Sequence, residues 1–150
     1  MTSKPSEVGS DSAPATEEAA VAEVLLRNLV EVFDERDRNR RRAAIAELWA
    51  ADGLFVDPMG RFTGHEALDG AIQALHEQTA GYHFAAVGAP VTHARGGLVR
   101  WTYGPEGDES RVTGQDAAVV ADGRILAIYA FLGNNPDPVP VVPEATSSTG

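Results

Sequence analysis

The chain contains no cysteine, which excludes a disulfide framework and thiol chemistry together. No apolar run approaches the ~20 residues that span a bilayer, so no membrane segment is expected. Basic residues are scarce, 12 Lys and Arg against 22 Asp and Glu, for a net charge of −10. Nucleic-acid binding draws on clustered positive charge, and no nucleic-acid partner is expected. The start, Met1-Thr2-Ser3-Lys4-Pro5-Ser6-Glu7, lacks the basic and then apolar pattern of a secretion signal. A cytoplasmic protein is the resulting expectation. HExxH, an EF-hand loop, a phosphate loop, a dinucleotide fingerprint and a Gly-x-Ser-x-Gly elbow are all missing, so neither a metal nor a cofactor is anticipated.

What is present is enough apolar residue content for one domain with a real core, 43% over 150 residues. Residues 1–16 and 133–150 are rich in Ser, Pro, Ala or Asn without periodicity and read as tails, leaving a domain over 17–132. Thr16 could cap a helix running to about Glu35, whose face is Val21, Leu25, Leu29, Val32 and Phe33. Asn28 lies at the edge of that face, as a rim or a pocket residue. The one basic cluster, Arg36 to Arg42, is interrupted by Asp37 and reads as a solvated junction rather than an anion site.

A second helix is expected from about Arg40 to Ala51, then a short strand Leu54-Phe55-Val56 and a turn at Pro58-Met59-Gly60. Thr63 and Glu66 fit a capping box for a third helix ending near Gly81. From Tyr82 the apolar period becomes two. Strands are predicted over Tyr82–Ala89, with Val91–His93 as an extension past a bulge at Pro90, then Leu98–Tyr103, Arg111–Ala121 and Arg124–Leu132. Asp122-Gly123 is a hairpin signal. The expected fold class is α+β, three N-terminal helices packed on one face of a curved antiparallel sheet.

Two acids stand out. Asp57 follows three apolar strand residues and precedes a proline, as a turn-former or as a group aimed into a pocket. Asp116 alternates with Val112, Gly114, Ala118 and Val120, so it lies on the face meant for the helices. A carboxyl there must be paired, hydrogen-bonded or protonated, whether as a core acid or as one lining a cavity. Val99, Trp101 and Tyr103 form the inner face of the neighbouring strand, with Arg100 pointing away. His83 opens the first meander strand, as a hydrogen-bonded strand-end histidine or a helper in chemistry; His76 and His93 look exposed. In the last strand Ile125, Ala127, Tyr129 and Phe131 face one way and Leu126, Ile128, Ala130 and Leu132 the other. Both faces are apolar, so the outer face needs a cover, and a homodimer packed sheet to sheet is the simplest one.

The passage Leu48 to Glu66, with Trp-Ala-Ala-Asp-Gly-Leu-Phe-Val-Asp-Pro and then Gly-His-Glu-Ala-Leu, resembles the signature of the nuclear transport factor 2-like superfamily. That superfamily includes SnoaL-like polyketide cyclases and ketosteroid isomerases, and the likeness covers about Glu17 to Leu132. The resemblance implies a cone with an internal cavity. It implies Asp57 as the base that removes a proton next to a carbonyl, and Asp116 as a neutral donor to the developing oxyanion. His83 could assist. Leu29, Phe33, Phe55, Trp101 and Tyr103 would wall a hydrophobic, steroid- or polyketide-like small molecule, and no cofactor is needed. The isomerases' first-helix tyrosine has no counterpart in Asn28 to Phe33. The acids of related epoxide hydrolases are missing from Val99-Arg100-Trp101-Thr102 and Ile128-Tyr129-Ala130-Phe131. The alternative is a binding or dimerisation domain without turnover.

Overall fold

The structure, a computed structural model, describes residues 3–133, with side chains from residue 15 onward. The expected C-terminal tail, apart from Gly133, lies outside the described residues. The helices are α1 (Ser3–Arg27), continued by a π-helical stretch (Asn28–Phe33), then α2 (Arg38–Leu48) and α3 (His65–Gln78). The strands are β1 (Trp49–Asp57), β2 (Gly60–Thr63), β3 (His83–Ala86), β4 (Val91–His93), β5 (Gly96–Gly104), β6 (Val112–Ala121) and β7 (Arg124–Leu132). They form one curved sheet in the order β2-β1-β7-β6-β5-β3, with β4 also paired to β5. Every neighbouring pair is antiparallel except β1 with β7, so the sheet is mixed.

α1 begins at Ser3, upstream of the expected start, and Thr16 therefore lies inside it rather than capping it. At Asn28 the helix widens, and the Asp34 amide bonds back five residues to the Leu29 carbonyl. The extra residue per turn turns Asn28, Leu29, Val32 and Phe33 all inward. Asp37 then starts α2 by accepting from the Arg40 amide at 2.9 Å.

α2 stops at Leu48, earlier than expected, because Trp49 is already extended and pairs with Ile125 of β7. β1 is consequently long, and the expected turn at Pro58-Met59-Gly60 is the tip of a β1–β2 hairpin whose last pair is Asp57 with Gly60. The predicted capping box does not form. Gly64 takes the cap position at φ 93°, a conformation that favours glycine, with no side-chain cap, and Glu66 extends into solvent.

The helices cover one sheet face. Val99, Asp116, Ala118, Val120, Ile125, Ile128 and Phe55 meet Val21, Val24, Leu25, Val32, Phe33, Ala44, Ile45, Leu48, Leu68 and Ile72 there. β7 departs from simple alternation. Val120 pairs with Ile125 while Val119 pairs with Ala127, so Leu126 is an extra residue. This bulge brings Ile125 and Ile128 both inward and leaves Tyr129 and Phe131 outside, correcting the face assignment made from period two alone.

Candidate functional site

Asp116 sits in the middle of β6, opposite Val99 of β5 and Ala130 of β7. It is 7% exposed. Its Oδ1 accepts a hydrogen bond from Trp101 Nε1 at 3.0 Å. Its other oxygen has no partner among the described residues, yet no wholly buried polar atom there lacks one. That oxygen is therefore not wholly buried. Burial pushes the carboxyl up to about 7, and the Trp101 bond only partly offsets it. An acid poised near neutrality in an apolar wall can both hold and release a proton.

Asp57 ends β1 and is half-buried. Its Oδ1 accepts from the Met59 amide at 2.9 Å, so the turn-forming reading holds. That bond also fixes the carboxylate in one orientation. His83 lies elsewhere. Its side chain is 67% exposed at the edge strand β3, with Nδ1 3.2 Å from Asp34 Oδ2. Asp34 Oδ1 in turn accepts the edge amide of Phe84 at 2.8 Å. Phe84 pairs with inward Tyr103, so His83 occupies the opposite strand face and is not gathered with Asp116.

The five apolar residues expected to wall a ligand are all buried and converge. Leu29, Trp101 and Tyr103 form one cluster with Phe84 beside it, and Phe33 and Phe55 belong to the main core. Ring centroids step from Tyr82 to Tyr103 (5.1 Å), Tyr103 to Phe84 (3.9 Å), Phe84 to Phe33 (6.0 Å), Phe33 to Phe55 (5.1 Å) and Phe55 to Phe62 (6.2 Å). Trp101 stands edge-on to Phe84 at 5.3 Å. The space between sheet and helices is thus occupied by rings in contact. A hollow of about 360 Å³ is lined by Arg42, Ile45, His65 and Glu66, and one of about 280 Å³ lies on the outer sheet face. Neither is lined by Asp57 or Asp116.

Sequence reasoning missed a buried polar network beneath the helices. Arg41, expected in a solvated junction, is 0% exposed and its Nε donates to Asp69 Oδ1 at 2.7 Å. Arg38 donates to the other Asp69 oxygen at 2.8 Å. Burial alone would raise Asp69, but the two guanidinium hydrogen bonds outweigh it and hold the carboxyl below its usual value. His76, expected to be exposed, is buried. Its Nε2 faces the Phe33 carbonyl at 2.7 Å and its Nδ1 faces Arg41 at 3.3 Å. A carbonyl only accepts and a guanidinium only donates, so the hydrogen is on Nε2 and the ring is neutral. Burial lowers its pKa.

Arg36 completes the network by donating to the carbonyls of His76, Thr79 and Tyr82, which close the end of α3. Asn28 is no rim residue: it is 1% exposed and accepts from Trp49 Nε1 at 2.8 Å. The signal available in the sequence was spacing, since Arg38 and Arg41 share a helix face and so do Asp69, Gln73 and His76. Among the described residues no cluster of His, Asp and Glu suited to a metal occurs. No described helix is long and apolar enough to cross a membrane.

A helical layer on a curved, unclosed seven-stranded sheet, with an acid set in the covered face, defines a cone-shaped α+β domain of the nuclear transport factor 2-like class. Within it the chain belongs to the SnoaL-like domain family, whose model matches residues 26–128. Among curated proteins none matches the sequence. A presumed isomerase of the SnoaL-like family from Agrobacterium tumefaciens strain C58 is 27% identical. That match has a TM-score of 0.68 and covers 79% of this chain and 99% of that one. A presumed polyketide cyclase from Sinorhizobium meliloti is 18% identical at TM-score 0.59, covering 72% and 93%. A presumed ketosteroid isomerase from Kribbella flavida is 17% identical at 0.61, covering 83% and 86%. These last two likenesses speak for the fold alone.

Proposed function

We propose that the protein is a cofactor-independent isomerase or cyclase acting on a hydrophobic carbonyl compound of the steroid or polyketide kind. The observation that carries this reading is Asp116: a carboxyl on the covered, aromatic-lined sheet face, held by one indole hydrogen bond, with its pKa raised to about 7. In its neutral form Asp116 donates a hydrogen bond to the carbonyl oxygen as negative charge builds there. Asp57, oriented by the Met59 amide, takes the proton from the adjacent carbon with its second oxygen. Leu29, Phe33, Phe55, Trp101 and Tyr103 are buried and packed together with neighbouring rings, so a fused-ring substrate enters as these side chains part to receive it. His83 stands outside this chemistry, being exposed and held by Asp34. SnoaL-like domains bind small molecules, which agrees with this assignment.

A second reading is a binding or dimerisation domain without turnover. It is favoured by the ring-filled interior and by the use of Asp57 in a turn. In either reading a second copy covers the outer sheet face. Leu54, Val56, Leu98, Ala117, Val119, Ala127 and Tyr129 form two adjacent apolar rows there.

Thermal-shift titration with a panel of steroids and polyketide aromatics tests ligand binding. The reading requires a rise in melting temperature with at least one compound, weakened by Trp101→Ala. A panel with no shift, in wild type and variants alike, would favour the second reading.

A further inference from the structure

The registers of the described strands put no Asp or Glu on the outer sheet face, although the chain holds 22 acidic residues. They do put a cation there. Arg100 of β5 stands opposite Gln115 of β6, which stands opposite the exposed Phe131 of β7. Arg100 is exposed and has no carboxylate or carbonyl partner among the described residues. Elsewhere Arg27, Arg38, Arg41 and Arg111 each donate to a carboxylate. A guanidinium left without an anion, in a chain of net charge −10, needs explaining.

The next row of the face is low. Thr102 of β5 opposes Thr113 of β6, and two short side chains leave a trough beside the longer Arg100 and Gln115. Here lies the hollow of about 280 Å³, lined by Val87, Arg100, Thr102, Thr113, Gln115 and Gly133 among others. Two of its walls are pinned to the sheet through the main chain. The Val87 amide donates to the Arg100 carbonyl at 2.8 Å, and the Gly133 amide to the Thr113 carbonyl at 2.8 Å. None of the residues lining it belongs to the two apolar rows of this face, Leu54 to Val119 and Val56 to Leu98.

The lining sorts by chemistry. Arg100 alone is charged among the described lining residues. Its planar guanidinium presents a fork of N–H donors that fits a carboxylate with two parallel bonds. Gln115 and Thr102 add an amide and a hydroxyl beside it. Val87, exposed at the rim, adds apolar surface. About 280 Å³ holds about nine non-hydrogen atoms at the ~30 Å³ that one water occupies. That is too small for a fused-ring compound and large enough for a carboxylate carrying one small apolar group.

We propose that this hollow is a second ligand site, separate from the interior, for a small monocarboxylate bearing one apolar group. The carboxylate sits on the Arg100 guanidinium, and the apolar group lies in the Thr102–Thr113 trough against Val87.

Benzoate is of the right size and is the probe, titrated by calorimetry into the full-length protein at fixed ionic strength. The expected result is saturable binding to one site per chain, with a dissociation constant of about 1 mM or tighter. Arg100→Gln should weaken it by about 10-fold or more. Arg100→Lys should fall between, because an ammonium keeps the charge and loses the fork. Thr102→Tyr, which fills the trough, should abolish binding. Arg61→Gln removes the exposed arginine at the β2 edge of the same face and should leave the affinity unchanged. Benzyl alcohol, without the anion, and acetate, without the ring, should both bind more weakly than benzoate. Absence of saturable benzoate binding would overturn the proposal. So would equal losses in Arg61→Gln and Arg100→Gln, which would mark general attraction to a basic face. Circular dichroism checks that the variants fold. Independently of any variant, benzoate should slow the modification of Arg100 by phenylglyoxal in the wild-type protein, followed by peptide mass spectrometry, and an unchanged rate counts against the site.

Discussion

Trp101 Nε1 donates to Asp116 Oδ1 across the β5–β6 pair, a single hydrogen bond to a carboxyl that is otherwise set in apolar wall. Because the folded pKa is raised from 3.8 to about 7, the folded state holds a proton that the unfolded chain releases. Stability from this group is therefore complete below about pH 4 and is lost as pH rises through about 7. Asp116→Asn keeps an acceptor for the indole and removes the titration. Urea unfolding should show the variant gaining up to about 4 kcal/mol over wild type at pH 8 and little at pH 4. Trp101→Phe should move the Asp116 transition further up in pH, since the bond it removes lowers the carboxyl's pKa.

The Arg41–Asp69 pair is wholly buried, and removing one partner strands the other. Asp69→Asn should cost about 3–5 kcal/mol. Arg38 binds the same carboxylate from a half-exposed position, so Arg38→Ala should cost about 1 kcal/mol or less. Equilibrium denaturation of the two variants distinguishes these outcomes.

His76 titrates in the opposite sense to Asp116. Burial lowers its folded pKa below 6.5, so acid protonates the unfolded chain first. Its contribution is intact above about pH 6.5 and declines as pH falls below it. Thermal melts between pH 7.5 and 5 should show this slope in wild type and lose it in His76→Gln. The protonated ring would also face Arg41, which can only donate.

The outer face gives an assembly prediction. Tyr129 is exposed in the middle of the apolar rows, between Val56 and Ala117. Sedimentation velocity should find wild type as a dimer at micromolar concentration and Tyr129→Glu as a monomer with unchanged circular dichroism. A monomeric wild type would remove the dimer from the account.

The inner faces of β5 and β6 were legible in the sequence because period two survives there without interruption: Val99, Trp101, Tyr103 and Asp116, Ala118, Val120 all face the helices. β7 was misread since one bulged residue shifts the phase, and a bulge leaves no mark on composition. Trp49 and Ala50 were assigned to a helix because β1's parallel pairing with β7 is non-local and overrides local helix preference. The buried Arg41 looked solvated for a related reason. Its partners Asp69, Gln73 and His76 lie about thirty residues away, and a charge run is ordinarily an exposed face. For the candidate site, period two put Asp116 and Trp101 on the covered face where they meet. It could not tell that His83 faces solvent, since strand-end residues carry no signal for which side they present.

The most direct test of the central claim is deuterium exchange into a β,γ-unsaturated cyclic ketone in D₂O, followed by mass spectrometry. The account predicts protein-dependent exchange next to the carbonyl, reduced by about 10²-fold or more in both Asp57→Asn and Asp116→Asn. Absence of exchange across a panel of such ketones, or equal exchange in wild type and both variants, would contradict it.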